Sequence, residues 1–435
     1  MISDLICSNI SSTDGTLFFA GQNTLSLAEK YGTPLYLMDE DRIREMCRMY
    51  RSSMSAAFGD KFQVYYASKA SSFTQMYRIM AEEQMGIDVV SCGEIRSALN
   101  GGFPLERAVF HSNNKTDEDI AYAIEHGVGL FVVDNKEELY AIDRIAREMG
   151  KVQGILLRIT PGIDPHTYAA ISTGKVDSKF GSAIETGQAE EITRLALSFR
   201  HIRLKGFHCH VGSQVFDSDV FIQCAEVMLR FIADMQNKVE YTAEILDLGG
   251  GFGVRYLSSQ PTPYIPLIID RIGVFMRQFA KEIGIELPVI CIEPGRSIVA
   301  DAGMTLYTVG TLKHIPGYKN YISVDGGMSD NPRYALYKSP YTIVPAGKMD
   351  EDRDMTCTIA GRCCESGDVL QENVPLPSSM KRGDILACFT TGAYHYSMAS
   401  NYNRIPRPPI VMLKGGENYV AVRRETINDL VALDI

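Results

Sequence analysis

The sequence predicts a barrel of eight alternating β-strands and α-helices, followed by a domain of mostly β-structure. Short, almost continuously apolar runs recur between residues 64 and 294, and segments with helical periodicity separate them. Continuous apolarity is typical of parallel strands that are covered on both faces. Eight strand–helix alternations over roughly 230 residues match the size of a closed (β/α)8 barrel. A doubly wound open sheet is the alternative. The eight units follow one another without a break, however, and this favours a closed barrel.

The separating segments read as helices that begin and end with ordinary capping signals. The segment 117–127 (DEDIAYAIEHG) has acidic residues in its first turn and a glycine where a C-cap would lie. Segments 136–150 and 220–239 have the same helical periodicity. The eight predicted strands are VYYAS (64–68), IDVVS (87–91), AVFHS (108–112), LFVVD (130–134), ILLRIT (155–160), LKGFHCH (204–210), EILDLGG (244–250) and PVICIEP (288–294).

The sequence changes character after about residue 300, where strand-like runs are broken by Gly-rich and Pro-rich turns. GGEN (415–418) between two β-rich runs predicts a hairpin turn. We therefore predict a barrel over 36–300 and a β domain over 301–435. Residues 1–35 are too β-like for a barrel helix, and we expect them to pack with the β domain.

Composition excludes several classes of protein. No segment of the 435 residues approaches the ~18 consecutive apolar residues of a membrane span, and the N-terminus lacks the features of a secretory signal. A formal charge of −10 disfavours nucleic-acid binding. None of the ten cysteines are in C-x-x-C spacing. We therefore expect reduced thiols, a cytoplasmic location and no metal site.

Polar residues stand where the predicted strands end. Lys69 follows the first strand, and because lysine is rarely buried, its ordinary interpretation is a solvated side chain. The active site of such a barrel lies at the carboxyl ends of the strands, where these side chains converge. The other polar residues at strand ends are Asp88, Ser91, His111, Asn113, Arg158, His208, His210 and EPGR (293–296).

The glycine-rich run Gly249–Gly253 offers backbone N–H groups that suit a phosphate. It lacks the spacing of dinucleotide and nucleotide-triphosphate loops, and tight packing alone would also explain it. Beside a strand-end lysine, it suggests pyridoxal 5′-phosphate held as a Schiff base on Lys69. Glu293 could keep the pyridine nitrogen protonated, His210 could stack on the ring, and Ser213 could donate to the phosphate.

Seven motifs, taken in order, resemble those of the pyridoxal-phosphate-dependent barrel decarboxylases. The resemblance covers nearly the whole chain. It implies a (β/α)8 barrel with a C-terminal β domain, and a homodimer whose active sites lie at the subunit interface. The motifs are YYASKA (65–70), HCHVGSQ (208–214), LDLGGGFG (246–253), EPGR (293–296), DGGMSDNPRYALY (325–337), CCESGDVL (363–370) and GAYHYSMASNYN (392–403).

Site residues follow from this resemblance position by position. It makes Lys69 the Schiff-base lysine and Cys364 the proton donor, which with Glu365 would reach in from the second subunit. Segment 171–181 is similar to the family's substrate-side loop. The implied cofactor-binding residues are Lys69, His210, Ser213, Gly250, Gly251, Gly253, Glu293, Gly295, Arg296 and Tyr394.

Within the family, the motifs are most similar to those of members that decarboxylate meso-2,6-diaminopimelate to L-lysine. Such a substrate has a distal carboxylate that guanidinium groups fit well. Two arginines without that carboxylate would cost several kcal/mol if buried unpaired, which disfavours lysine or ornithine as substrates. A structural ion pair at Arg333 is the alternative. The implied substrate-binding residues are Arg296, Arg333, Tyr337, Glu365 and Tyr394.

Three other functions stay open at this stage. They are decarboxylation of another basic amino acid, racemisation, and binding of the cofactor without catalysis. A racemase of this fold favours a cation at the pyridine nitrogen, so Glu293 speaks against it; the retained Lys69, Cys364 and Tyr394 speak against a non-catalytic relative. The sequence departs from the family pattern at two places: Cys92 stands where glycine is usual, and Pro332 and Tyr334 flank Arg333 in an unusual order.

Overall fold

The computed structural model describes residues 5–163 and 179–435. The strands of these residues are β1 (Ile10–Thr13), β2 (Thr16–Phe19), β3 (Gln22–Asn23), β4 (Leu35–Asp39), β5 (Phe62–Ala67), β6 (Gly86–Val89), β7 (Ala108–Phe110), β8 (Leu130–Val133), β9 (Gln153–Thr160), β10 (Ser182–Ala183), β11 (Ile202–His208), β12 (Ile245–Asp247), β13 (Val289–Ile292), β14 (Gly303–Ile315), β15 (Lys319–Val324), β16 (Ile343–Pro345), β17 (Met355–Ala360), β18 (Val369–Leu376), β19 (Ile385–Phe389), β20 (Ile410–Lys414) and β21 (Glu417–Val422). Their α-helices are α1 (Thr24–Tyr31), α2 (Glu40–Phe58), α3 (Thr74–Glu82), α4 (Cys92–Asn100), α5 (Asp117–Glu125), α6 (Lys136–Glu148), α7 (Gln188–Ser198), α8 (Ser218–Val239), α9 (Ile265–Glu282), α10 (Arg296–Val299), α11 (Arg333–Tyr337) and α12 (Ile427–Val431).

Parallel strands form a closed barrel, which confirms the predicted (β/α)8 fold and excludes the open sheet. The hydrogen-bonded order is β9-β11-β12-β13-β5-β6-β7-β8, and β8 pairs back to β9. Every pair in this circuit is parallel. Each of the eight predicted apolar runs overlaps one of these strands.

Side chains that point inward fill the barrel with apolar volume. One cluster draws buried residues from β5, β7, β8, β9 and β13, as expected for the layered interior of such a barrel. Its members are Tyr65, Val109, Val132, Leu156 and Cys291.

The predicted helices 117–127, 136–150 and 220–239 correspond to α5, α6 and α8. Helix α5 begins with a capping box between Thr116 and Asp119, which satisfies two otherwise unpaired backbone N–H groups.

The chain divides into two compact units. The barrel unit comprises Met46–Gly253 and Pro263–Gly295. The β unit comprises the described residues up to Glu45, the short segment Val254–Thr262, and Arg296–Ile435. The domain limits predicted at 35/36 and 300/301 stay predictions, because these units are defined by packing and not by independent folding.

The β unit is built around β14, which pairs with β4, β15 and β19. Strand β4 comes from the N-terminal part of the chain and lies between β14 and β20, antiparallel to the first and parallel to the second. The predicted hairpin turn joins β20 to β21 through Gly415 and Gly416. Both glycines have positive φ angles, which other residues rarely adopt.

No helix among the described residues is long and apolar enough to cross a membrane.

A buried ion pair connects the loop after β7 to the first turn of helix α6. The Lys115 ammonium donates to Glu138 Oε1 at 2.6 Å and to the Val132 carbonyl at 2.7 Å. The second oxygen of Glu138 accepts from the Asp134 backbone at 3.0 Å. Burial lowers the pKa of Lys115, and Glu138 opposes that shift, so each charge depends on the other.

We predict that Lys115→Met lowers the free energy of unfolding by about 3–5 kcal/mol, because it leaves the Glu138 carboxylate buried without its cation. Adding Glu138→Gln should recover more than half of the loss, since the uncompensated charge is then gone. Urea denaturation followed by circular dichroism measures both effects. The control is Lys136→Met, which removes an exposed partner of Glu191 and should change stability by less than about 1 kcal/mol. Equal effects at both lysines would contradict the prediction.

Candidate active site

Lys69 lies at the carboxyl end of β5, on a 3-10 turn formed by Ser68–Ala70. Its two neighbours in this turn are buried whereas Lys69 is exposed, so the turn presents the ammonium at the barrel mouth. The positive charge of Lys69 contributes to lowering the pKa of His208 and of His210. Lys69 therefore lies close enough to two strand-end histidines for its charge to act on them.

Glu293 follows β13 and binds two histidines from other strands. His111 Nε2 lies 2.7 Å from Glu293 Oε1, and His208 Nε2 lies 3.3 Å from Glu293 Oε2. The two imidazole rings pack edge to face with centroids 4.8 Å apart. All three side chains are buried, with at most 7% of each residue exposed. Two strand-end histidines thus contact both oxygens of one carboxylate.

These contacts decide the charge of Glu293. Burial alone would raise the pKa of Glu293, but His111 and His208 hold that pKa well below its ordinary value. Burial lowers the pKa of His208. The Nδ1 atom of His208 is buried and makes no hydrogen bond within the described residues. A bare lone pair is cheaper to bury there than an unpaired N–H, so we assign the Nε2–H tautomer, which donates to Glu293.

Two further carboxyl groups lie near Glu293. Burial raises the pKa of Asp88 to about 6, although His111 and Lys69 oppose the rise. Burial, and then repulsion by Glu293, raises the pKa of Asp247 well above its ordinary value. Of these three acids, Glu293 alone has a lowered pKa, so the negative charge concentrates on it.

The glycine-rich turn after β12 leaves no room for side chains. A Cβ atom on Gly249 would lie 2.7 Å from His210 Nδ1, and one on Gly250 would collide with the Glu293 carbonyl. Gly249 and Gly251 also have φ angles of +69° and +110°. Tight packing therefore accounts for these glycines, as the sequence allowed.

The same turn also keeps backbone donors for a ligand. Within the described residues, the N–H groups of Gly250 and Gly251 make no hydrogen bond. The N–H of Gly253, another predicted phosphate ligand, donates to the Val215 carbonyl at 2.9 Å. The turn can therefore hold a phosphate through two of the three predicted glycines without breaking a bond already present.

His210 and Gly295 complete the predicted set on the barrel unit, together with Ser213 on the loop after β11. Burial, followed by the charges of Lys69 and Arg158, lowers the pKa of His210 well below its ordinary value. The ring is therefore neutral, which suits stacking on an aromatic cofactor beside a lysine. A Cβ atom on Gly295 would lie 2.8 Å from that of Ala67, so the EPGR turn packs against the turn that carries Lys69.

Arg333 and Arg296 lie in the β unit, on α11 and α10. The Arg333 guanidinium is stacked between the rings of Tyr337 and Tyr394, each 5.2 Å away. Arg296 lies 4.7 Å above the Tyr394 ring and donates to the Tyr256 hydroxyl at 2.7 Å. Tyr394 has a φ angle of +63°, unusual for an aromatic residue. The unit thus brings together four predicted residues, with both arginines on the ring of Tyr394.

Arg333 is a buried cation that the described residues do not neutralise. It is 7% exposed, its Nε makes no hydrogen bond, and no carboxylate of the described residues pairs with it. Among the described residues its one hydrogen bond is long, with Nη2 donating to Ser339 Oγ at 3.4 Å. The alternative of a structural ion pair at Arg333 finds no support among these residues.

Burial lowers the pKa of His395 to about 3, and the charges of Arg333 and Arg296 add to the shift. His395 therefore adds no positive charge beside these two arginines. Two arginines and neutral aromatic side chains are left, which suits an anionic ligand.

Cys364 and Glu365 are exposed on this chain. The Cys364 N–H donates to Asn403 Oδ1 at 2.7 Å, and Glu365 accepts from the backbone of Gly367 at 3.1 Å. These bonds fix the loop while the thiol stays accessible. Most of the predicted substrate-side loop, 171–181, lies outside the described residues.

The sequence pattern predicts His111, His208 and Asp88 only as strand-end residues and does not single out Asp247. Their position at strand ends was the available signal, but their contacts depend on barrel closure. His111, His208 and Glu293 offer ligand atoms within 4.8 Å of one another, so the trio has the composition of a divalent-metal site. The 2.7 Å bond between His111 and Glu293, however, already satisfies these groups without an ion.

Comparisons with known proteins agree over the whole chain. The family described as "Pyridoxal-dependent decarboxylase, pyridoxal binding domain" matches residues 40–300. A diaminopimelate decarboxylase from Bacillus subtilis is 46% identical over 97% of this chain and 95% of its own length.

Solved structures show the same likeness. Diaminopimelate decarboxylase from M. jannaschii in complex with L-lysine is 34% identical, with a TM-score of 0.90 over 100% of this chain and 99% of that one. The Helicobacter pylori enzyme complexed with L-lysine is 31% identical, with a TM-score of 0.85 over 95% and 99% of the two chains. This chain therefore belongs to the pyridoxal-dependent decarboxylases and, within them, to the diaminopimelate decarboxylase family.

Proposed function

We propose that this protein decarboxylates meso-2,6-diaminopimelate to L-lysine and CO2 with pyridoxal 5′-phosphate as cofactor. The observation that carries the choice of substrate is Arg333, a buried guanidinium between two aromatic rings with no carboxylate of the described residues beside it. A substrate with a distal carboxylate would supply the missing partner. Substrates such as lysine and ornithine lack that group.

The barrel residues fit the cofactor by the chemistry of their donors. Lys69 supplies the amine that binds it covalently, and the neutral ring of His210 packs on its face. Ser213 and the N–H groups of Gly250 and Gly251 bind the phosphate, with Gly253 and Gly295 giving the backbone close approach. Glu293 binds the ring nitrogen. A racemase would place a cation there, so the ionised Glu293 favours decarboxylation.

When bound, the cofactor accepts the electron pair that remains at the substrate Cα as CO2 leaves. The negative charge of Glu293 holds the proton on the ring nitrogen, which strengthens that electron demand. Arg296, Arg333, Tyr337 and Tyr394 orient the distal carboxylate, and Tyr394 with Arg296 also contributes to phosphate binding. The Cys364 thiol then delivers a proton to Cα.

The active site is completed by a second copy of the chain. Cys364 and Glu365 are exposed on their own subunit, and we propose that they act in the site of the partner in a homodimer. Glu365 then binds the distal ammonium of the substrate. All ten cysteines are free, in keeping with a reducing compartment, and we propose the cytoplasm.

We predict that Lys69→Ala abolishes both turnover and the visible absorbance of the bound cofactor, because the amine that binds it is gone. Absorbance spectra and an assay of CO2 release measure the two properties. Lys61→Ala is the matched control: Lys61 precedes the same strand and makes an exposed ion pair with Glu286. It should behave like the unmodified protein. A Lys69→Ala protein that keeps either property contradicts the assignment.

Mixing inactive Lys69→Ala with inactive Cys364→Ala should restore about a quarter of full activity, because half of the dimers are hybrids and each has one intact site. Lys69→Ala mixed with Glu293→Gln is the control. Both changes affect barrel residues, so each barrel of a hybrid dimer carries one of them. Neither site is intact, and no activity should return. Subunit exchange is verified by mass spectrometry. An inactive first mixture after full exchange argues against shared sites.

Arg333→Ala should lower kcat/KM for meso-diaminopimelate by roughly 30-fold to several-thousand-fold, the cost of about 2–5 kcal/mol for one partner of a desolvated charge pair. Turnover of lysine, which has no distal carboxylate, should fall far less, and the cofactor spectrum should not change. Arg404→Ala removes an exposed arginine of the same unit and is the control. An equal loss on both substrates would make Arg333 structural. A wild-type preference for lysine or ornithine would refute the proposed substrate.

A further inference from the structure

We propose that His111 and His208 are positioning residues that clamp the two oxygens of Glu293 and so fix the carboxylate that faces the cofactor ring. The inference deepens the proposed function and rests on it, since it concerns how Glu293 serves the ring nitrogen. It begins from the two contacts of 2.7 and 3.3 Å, one to each carboxylate oxygen.

The clamp fixes orientation because its two members come from different strands. His111 follows β7 and His208 ends β11, whereas Glu293 follows β13. Bonds to both oxygens prevent rotation of the carboxylate about its terminal torsion, which is otherwise broad. The rings also pack on each other, so each imidazole restricts the other. A carboxylate has about four acceptor sites, so two remain for the ring nitrogen.

The clamp also determines which of three neighbouring acids, Glu293, Asp88 and Asp247, has the lowest pKa. An ionised Glu293 is repelled by the carboxylates of Asp88 and Asp247 and raises the pKa of both. Its charge also acts to raise the pKa of two basic groups, Arg158 and His210. Without donors on its oxygens, a buried Glu293 between two carboxyl groups would take up a proton. With them, the pKa of Glu293 stays low while burial raises those of Asp88 and Asp247. The neutral His208 donates without adding a charge that would repel a protonated ring.

A direct test measures the ring nitrogen in the holoenzyme. Pyridoxal phosphate labelled with ¹⁵N in the ring is bound to the protein, and the ¹⁵N chemical shift is followed against pH. An ionised Glu293 raises the pKa of the ring nitrogen, so loss of the clamp should lower the pH at which that nitrogen loses its proton. We expect His111→Leu and His208→Leu to lower this midpoint by about one unit or more, and kcat by about tenfold or more.

Glutamine variants separate positioning from packing. His111→Gln and His208→Gln keep an N–H near the original Nε2, and we expect them to recover most of the midpoint and of kcat. His126→Leu removes a histidine of the barrel unit whose ring, among the described residues, bonds to the Tyr122 carbonyl and packs on the Tyr122 ring, and it should change neither. Leucine variants with an unchanged midpoint, or glutamine variants as impaired as leucine, would overturn the clamp.

A second measurement keeps the clamp distinct from the proposed function. Infrared difference spectra of the cofactor-free protein, with Glu293→Gln as the reference, give the pKa of the Glu293 carboxyl directly. The leucine variants should raise this pKa by at least about one unit; an unchanged value overturns the clamp even if the cofactor does not bind. A protein with both clamp effects but no turnover of diaminopimelate would refute the substrate and leave the clamp standing.

Discussion

The barrel mouth depends on one buried negative charge. An uncompensated carboxylate among apolar strands would take up a proton, as the neighbouring Asp88 and Asp247 tend to do. Glu293 escapes this because two imidazoles satisfy its oxygens. Barrel closure brings the ends of β7, β11 and β13 close enough for these bonds. The electrostatics of the site therefore depend on the closed sheet, and the neutral His210 beside Lys69 belongs to the same balance.

The β unit, in contrast to the barrel mouth, holds buried positive charge. Arg333 and Arg296 share Tyr394 as an aromatic surface, and stacking on rings partly offsets the loss of hydration. Neutral His395 avoids adding a third cation. The two arginines of the β unit therefore suit a carboxylate of an amino-acid substrate.

The fold could be predicted from the sequence because each barrel strand is apolar on both faces, and eight such runs with intervening helices leave few alternatives. Lys69 and the glycines could be singled out because they break local rules: a lysine closes a strand, and glycines cluster beyond another. The clamp could not be predicted, because the partners of His111 and His208 lie 182 and 85 residues away. Segment Val254–Thr262 packs in the β unit, although barrel residues flank it in the sequence. No local pattern marks that exchange.

The position of β4 has a consequence for biosynthesis. This strand is made among the first 40 residues, yet its two sheet neighbours are β14 and β20, the second of which ends at Lys414. During translation one edge of β4 stays unpaired until β14 has been made, and the other until β20 has been made, when nearly the whole chain has left the ribosome. Every strand of the barrel is complete well before that point. Contacts so distant in sequence are slow to form, and an unpaired apolar strand is prone to pair with the wrong chain. Chaperone demand and aggregation during overexpression should therefore originate in the β unit.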